Sequence, residues 1–413
     1  MWRSSFSAIK IKSLRSIEAD MMKQNNSQRL IVQKYGGATL STPEKIKVAA
    51  RRISELHKSG TQVVVVVSAM GQTTNDLIAL AHQVSHRPQL RELDMLLTVG
   101  ERISMSLMSM ALNDLGCSAI SFTGSQAGIL TDEAHVNAQI IDVKATRVEQ
   151  ALKENKIVIM AGFQGVSPLT KEITTLGRGG SDTSAVAMAG YLNADRCEIL
   201  KDVDGVYTAD PKLVANARII PNLNYNLLLE MTGWGAKVLH HRSVEMAENK
   251  DVKLYVGPAA HQSTVGTLVT ADFHFPKKKA IAINSFAQVF EIQLTESYNQ
   301  FTAFLTHNQI ATPQLLFAIE NRYLITGPDE VLNLIQNFET NQNIFKVIEK
   351  KISCVSVTFS DNTDDLDFTN AKKILQDKNM KCLSSFQLLN SLHFFVRSEQ
   401  RSETIKSLHD LIS

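Results

Sequence analysis

The chain has 413 residues, 44% of them hydrophobic and 20% charged, with only 9 prolines. At roughly 150 residues per domain this is the length of two or three folded units, and the composition excludes a disordered, collagenous or low-complexity chain. Its formal charge is +2, but the first 29 residues hold six basic and two acidic side chains, which leaves 37 basic against 39 acidic in the rest. A nucleic-acid binder that neutralises phosphates shows a basic body rather than a basic leader alone, so that class is set aside.

Residues 1–28 lack an apolar h-region and mix Glu18 and Asp20 with their basic side chains. They read as a disordered extension, with Met21 and Met22 as other possible starts, rather than a targeting signal. From residue 30 onwards, apolar runs at 30–32, 62–67, 157–160 and 197–200 have the continuous hydrophobicity of parallel strands buried on both faces. Between them 43–56, 75–84, 93–115, 142–155 and 182–192 have the length and spacing of amphipathic helices, often entered from Ser, Thr or Asp. The expectation for 29–272 is an α/β domain on an open, mostly parallel sheet with helices on both faces. The longest obvious apolar run, 63–67, is far short of the roughly 20 residues of a membrane span. Cys117, Cys197, Cys354 and Cys382 form no CxxC pair, so neither a disulfide framework nor a cysteine metal site is expected, and a cytoplasmic protein is.

Beyond a linker at 273–279 (FHFPKKK) the pattern changes, and of 20 glycines only Gly327 lies there. A strand at 287–294, a helix at 298–308, strands at 314–320 and 322–326 and a helix at 329–339 form one unit. The segments 352–359, 367–379, 381–389, 392–397 and 400–412 repeat it. Residues 280–413 are thus expected to form two ferredoxin-like α+β lobes.

Three motifs carry candidate chemistry. In VQKYGGATL (32–40) a strand ends in Lys34 and runs through Gly36 and Gly37 to a helix entered near Ser41 and Pro43. Glycine lets backbone N–H groups approach an anion, the helix N-terminus favours negative charge, and lysine adds a point charge. It does not match the GxxxxGK[ST] loop. In TTLGRGGSDTSAVAMAGYL (174–192) three glycines surround Arg178, and Ser181 and Asp182 open a helix. Arg178 offers a planar fork to a carboxylate and Asp182 a partner for an ammonium, together a clamp for an amino acid; Ser181 or Asp182 could equally be an N-cap. In LKDVDGVYTADPKL (200–213) a strand end leads to Asp202, Tyr207 and Lys212, at the place where open α/β sheets bind ligands, although Asp-Gly and Asp-Pro are also ordinary turn formers.

In this order, and with SAMGQTTNDL (68–77), LTVGERIS (97–104), SFTGSQAGILTD (121–132) and GAKVLHHR (235–242), these motifs resemble those of aspartate kinases in the amino-acid kinase family, over roughly residues 30–270. The lobes at 280–413 occupy the place of that family's ACT pair, and the length suits a monofunctional member without a fused homoserine dehydrogenase. The resemblance implies ATP-dependent phosphorylation of the β-carboxylate of L-aspartate to 4-phospho-L-aspartate, with Mg²⁺, as the first step towards lysine, threonine and methionine. It implies that Lys34, Gly36 and Gly37 face the phosphates, that Thr74, Glu101, Arg178 and Asp182 surround aspartate, and that Ser181 lies between the substrates. Lys201, Asp202, Tyr207, Lys212 and Lys237 would hold the nucleotide. Lys34 and Asp182 are the expected catalytic pair, and no protein metal ligand is assigned. Glu101 is also readable as the first-turn acid of its helix. Ala38, Asn75, Gly233-Trp234 and His241 depart from residues common in the family.

The other readings are a kinase for a different amino-acid carboxylate and a non-catalytic paralogue that binds aspartate or ATP. Arg178 with Asp182 favours a free amino acid, and retention of Lys34, Arg178, Asp182 and Asp202 favours catalysis. The turns at 294–298 (LTESY) and 360–367 (SDNTDDLD) contain no glycine to admit a carboxylate to backbone N–H groups. The lobes are therefore expected to serve mainly homodimerisation, with little inhibition by lysine or threonine.

Overall fold

The structure, a computed structural model, describes residues 28–412 apart from 261–264, 308–309, 311 and 339–343. The extension expected at 1–28 lies, but for Gln28, outside the described residues. In chain order the first strands are β1 (Leu30–Tyr35), β2 (Gln62–Val67), β3 (Ala119–Phe122), β4 (Ile129–Thr131), β5 (Ile140–Val143), β6 (Ile157–Ala161), β7 (Gln164–Val166), β8 (Ile173–Thr175), β9 (Arg196–Lys201), β10 (Asn222–Leu223), β11 (Leu254–Pro258) and β12 (Thr267–Val269). Eight form a sheet in the order β10-β12-β11-β9-β1-β2-β6-β3. All neighbours are parallel except β11 with β12.

The valine run of β2 shows why the sheet is central. Val64 and Val66 pack with Val32, Val158 and Met160 into one core, which takes in Val186 and Met188 from the helix Gly180–Tyr191. Val63, Val65 and Val67 face the opposite core with Ile46 and Ile53 of the helix Pro43–Lys58 and Met108 and Leu112 of the helix Val99–Asp114. Each face buries its own alternate set, so both must be apolar. The β1 strand outruns the expected 30–32: it continues through Gln33 and Lys34, polar residues that tertiary partners make buriable. Alternation places Lys34 on the same side as Val32.

Several boundaries differ from expectation. The helix expected at 93–115 is two helices, Leu90–Leu97 and Val99–Asp114, parted at Thr98. Residues 142–155 open as the end of β5 and become helical only at Thr146–Lys153. A second sheet, β5-β4-β7-β8, was not anticipated because its strands are three or four residues long. The stretch Leu90–Asp114 is long and apolar enough by composition to cross a bilayer, although polar residues interrupt its apolar runs; half of its most apolar window is buried inside the protein.

The remaining strands are β13 (Ala280–Leu294), β14 (Gln314–Ile319), β15 (Arg322–Thr326), β16 (Phe345–Phe359), β17 (Cys382–Gln387) and β18 (Ser391–Arg397). They form one antiparallel sheet, β14-β15-β13-β16-β18-β17. The repeat is not two complete units in tandem. Among the described residues the second unit has no fourth strand of its own after residue 400; the first half of β13 supplies it, Ala280 to Phe286 pairing with Phe359 to Cys354. Irregular register between Phe286 and Val289 divides β13 between the lobes. Phe290, Phe301 and Phe345 centre one lobe core, and Val355, Phe394 and Leu408 the other. The helix Asp365–Asp377 starts in a reciprocal cap between Asp364 and Asp367.

Candidate active site

The β1 and β9 strands are neighbours, and their carboxyl ends deliver Lys34 and Lys201 to one place. Asp182, in the first turn of the helix Gly180–Tyr191, lies between them. Its Oδ1 is 2.5 Å from Lys34 Nζ and its Oδ2 is 3.6 Å from Lys201 Nζ. Burial opposes ionisation of Asp182, yet the attraction of Lys34 and then Lys201 outweighs it and holds the carboxyl down at about 2. Burial and the charge of Lys34 push the Lys201 ammonium below its ordinary value, against the pull of Asp182. Two cations share one anion, so the cluster retains positive charge towards an incoming polyanion.

The glycine pair divides its tasks. A Cβ at Gly36 would meet nothing nearer than Lys34 Nζ at 3.8 Å, whereas one at Gly37 would lie 2.7 Å from the carbonyl oxygen of Ala69. Gly37 is required for packing. Gly36 keeps open the space beside the lysine, a cradle suited to a phosphate. After the single turn Gly37–Leu40, Thr42 caps the helix Pro43–Lys58 by accepting from the Lys45 N–H.

Arg178 lies exposed between Gly177 and Gly179, both with positive φ. At Gly179 the conformation is forced by proximity as well, because a Cβ would fall 2.2 Å from that of His240. The loop is buttressed from behind by the fully buried Asp94, which accepts from Thr175 Oγ1 at 2.5 Å and the Val136 N–H at 3.1 Å and pairs with His135. Ser181 is buried, with its Cβ against Gly162.

Glu101 is buried in the first turn of the helix Val99–Asp114. Its Oε1 accepts from the Ala69 N–H at 2.9 Å, while its buried Oε2 has no hydrogen-bond partner. Burial pushes the carboxyl up to about 7, in spite of the Ala69 bond and the Lys34 charge. Asp182, expected to meet an ammonium, pairs here with two lysines, and the buried Glu101 Oε2 is a second carboxylate oxygen near Lys34, with no ion pair of its own among the described residues. Thr74 is half-buried in the first turn of the helix Thr73–Val84, with no described contact to this cluster.

Lys201, Asp202, Tyr207, Lys212 and Lys237 line one cavity of about 410 Å³. A second cavity, with Gly179, Asp182 and His240 in its wall, shares Lys201, Gly235, Ala236 and Lys237 with the first. Tyr207 donates to Asp204 at 3.4 Å. His240 was not singled out in the sequence, although GAKVLHHR contains it; burial keeps its imidazole below the usual value beside Asp182. Among the described residues no group of three or more His, Cys, Asp and Glu could hold a metal ion.

A profile of the amino acid kinase family matches residues 29–258. Aspartokinase of Mycolicibacterium smegmatis is 53% identical over 253 residues, 61% of this chain and 60% of that protein's length. That of Geobacillus stearothermophilus is 41% identical over 338 residues, 82% of this chain and 77% of that protein. Among solved structures, E. coli aspartokinase III in complex with aspartate and ADP has the same fold, with a TM-score of 0.74 at 21% identity, and the match covers 93% of this chain and 100% of that one.

Proposed function

Because the chain belongs to the amino acid kinase family, with aspartokinases as its relatives, we propose that it transfers the γ-phosphoryl group of ATP to the β-carboxylate of L-aspartate. The observation that carries this reading is the Lys34–Asp182–Lys201 cluster, set at strand ends where two cavities join. The cavity holding Lys201, Asp202, Tyr207, Lys212 and Lys237 takes the nucleotide, and the acceptor binds on the other side of Asp182, at Arg178, Ser181 and Glu101.

A side-chain carboxylate with an ordinary value near 3.9 is already ionised at neutral pH, so the nucleophile needs no general base. The difficulty is bringing an anion to a polyanion, which calls for charge neutralisation and alignment. Lys34 supplies the positive charge beside the Gly36 cradle. Asp182 orients Lys34 and Lys201 so that both ammonium groups face the phosphates. Arg178, on its glycine-flanked loop, takes the substrate α-carboxylate, and Glu101 Oε2 accepts the α-ammonium. Ser181 lies between the two substrates. Mg²⁺ fits this donor set as an ion carried by the nucleotide, because Asp182 is neutralised by lysines and Mg²⁺ retains water and phosphate ligands. When bound it would screen the phosphate charge, with Asp202 a carboxylate on the same cavity wall as Lys201.

A homodimer through the lobes is part of this proposal; the sheet there exposes Leu315, Ile319 and Ile348. A cytoplasmic location accords with four free cysteines, three of them buried. The test is ADP release by the purified protein with Mg-ATP and a panel of amino acids. Stereoselective turnover of L-aspartate is expected, and turnover of another amino acid alone would overturn the substrate assignment.

A further inference from the structure

The nucleotide cavity is not closed by the kinase sheet alone. One wall is β13 and the first turn of the helix Arg401–His409, which contribute Asn284, Ser285 and Arg401. We propose that the C-terminal lobes form part of the nucleotide site, with the Asn284 amide donating a hydrogen bond to the bound nucleotide and Arg401 adding a cation to its wall. This rests on the assignment of that cavity to ATP.

Asn284 is about nine-tenths buried on the cavity wall, and its Nδ2 has no hydrogen-bond partner. A buried amide left unpaired costs stability, and this one belongs to a residue on a cavity wall, where a bound group could supply the missing acceptor. Arg401 Nη1 reaches Ser285 Oγ at 3.1 Å, which holds the guanidinium against β13 on the side where the cavity lies. A guanidinium has five donors and is suited to nucleotide oxygens.

The opposite wall is fastened to the lobes at several points. The Ile283 N–H donates to the Thr208 carbonyl at 2.7 Å, and Thr208 Oγ1 lies 2.9 Å from His409 Nε2. Ala209 and Val214 are buried in the second lobe's own core. On the other side of the opening, Gly235 has φ of +101°, and a Cβ there would lie 2.5 Å from the Ser285 carbonyl oxygen. Trp234 beside it packs against His393 of β18, with ring centroids 3.7 Å apart and the planes tilted by 36°. The segments carrying Tyr207, Lys212 and Lys237 are therefore set in position by the lobes, and a nucleotide in the cavity would touch both parts of the chain.

The test is ADP binding to the full-length protein, by calorimetry and by amide hydrogen exchange. In the wild type, ADP should slow exchange in 201–212 and equally in 281–287 and 401–405. Asn284→Leu should weaken ADP binding about fivefold, the worth of one hydrogen bond, while leaving the melting temperature of the free protein unchanged or raised, because an unpaired amide is removed. A merely structural asparagine would give the opposite sign in stability. Arg401→Met should weaken ADP about tenfold, as for a charge-assisted contact. Wild-type affinity in both variants, or protection by ADP confined to 201–212, would overturn the inference. Lys212→Met is the control: if it too binds ADP normally, and 201–212 gains no protection, the nucleotide assignment of the cavity itself has failed.

Discussion

Glu101→Gln separates the energetic cost of the site from its use. In the folded protein the Glu101 carboxyl is raised from 4.5 to about 7, chiefly by burial. Between those values the folded state binds the proton more tightly than the unfolded chain, so stability falls as pH rises through that window. The full penalty is present above about 7 and absent below about 4.5, and at 1.36 kcal/mol per unit it amounts to about 3 kcal/mol. Glutamine keeps an oxygen for the Ala69 N–H but has no charge to bury. Urea unfolding should therefore show the variant more stable than wild type at pH 8, by up to about 3 kcal/mol, with the difference vanishing near pH 4.5. Kinetics should move in the opposite sense. If Glu101 accepts the substrate ammonium, only its ionised form does so, and the wild-type KM for aspartate should fall as pH rises through about 7. The variant should show a raised KM without that step. Parallel stability curves for the two proteins would refute the buried-charge argument, and an unchanged KM profile would remove Glu101 from the substrate site.

Other perturbations test the remaining parts of the site. Lys34→Met should lower kcat by about 10²–10³-fold while the protein still unfolds cooperatively, because Lys201 stays to neutralise Asp182; turnover within about threefold of wild type, under ~1 kcal/mol, would exclude a catalytic role. Gly36→Ala should leave the melting temperature nearly unchanged and raise the KM for ATP, since its Cβ enters open space beside Lys34. Gly37→Ala should instead cost about 1–3 kcal/mol in denaturant unfolding, because the backbone of Ala69 cannot yield; equal effects of the two substitutions would refute the division of tasks. Lysine and threonine at millimolar concentration should inhibit weakly or not at all, and strong cooperative inhibition in a steady-state assay would show that the glycine-free lobe turns still capture an effector.

Local spacing was enough for the four adjacent central strands of the main sheet, β9, β1, β2 and β6, while β3, β10, β11 and β12 were not expected. The run at 62–67 has no polar face, and only a strand covered on both sides accommodates that, as β2 is. Of the glycines around Lys34 and Arg178 only Gly36 leaves open space, the others being held by close packing, and Lys201, Asp202, Tyr207, Lys212 and Lys237 line one cavity. Short strands such as β4 and β7 were missed because three residues carry no period. The break at Thr98 was missed because the apolar pattern continues across it.

What tertiary structure alone decided is where charge resides and what closes the cavities. Lys34 reads as a strand-end cation, but its burial is possible only because Asp182, far along the chain, neutralises it. The same cluster pairs Asp182 with two lysines, whereas the buried Glu101 Oε2 has neither a hydrogen bond nor an ion pair within reach among the described residues. The second lobe looked complete from residue 352 onwards, yet its last strand comes from before the first lobe. Asn284 and Arg401 stand in segments without glycine, motif or charge run, and their place on the wall of the cavity beside Lys201 follows from that exchange of strands. Periodicity is a property of neighbours along the chain and is legible there. Ion pairing, desolvation and cavity walls depend on distances in space between residues that the sequence separates, and folding alone sets those distances.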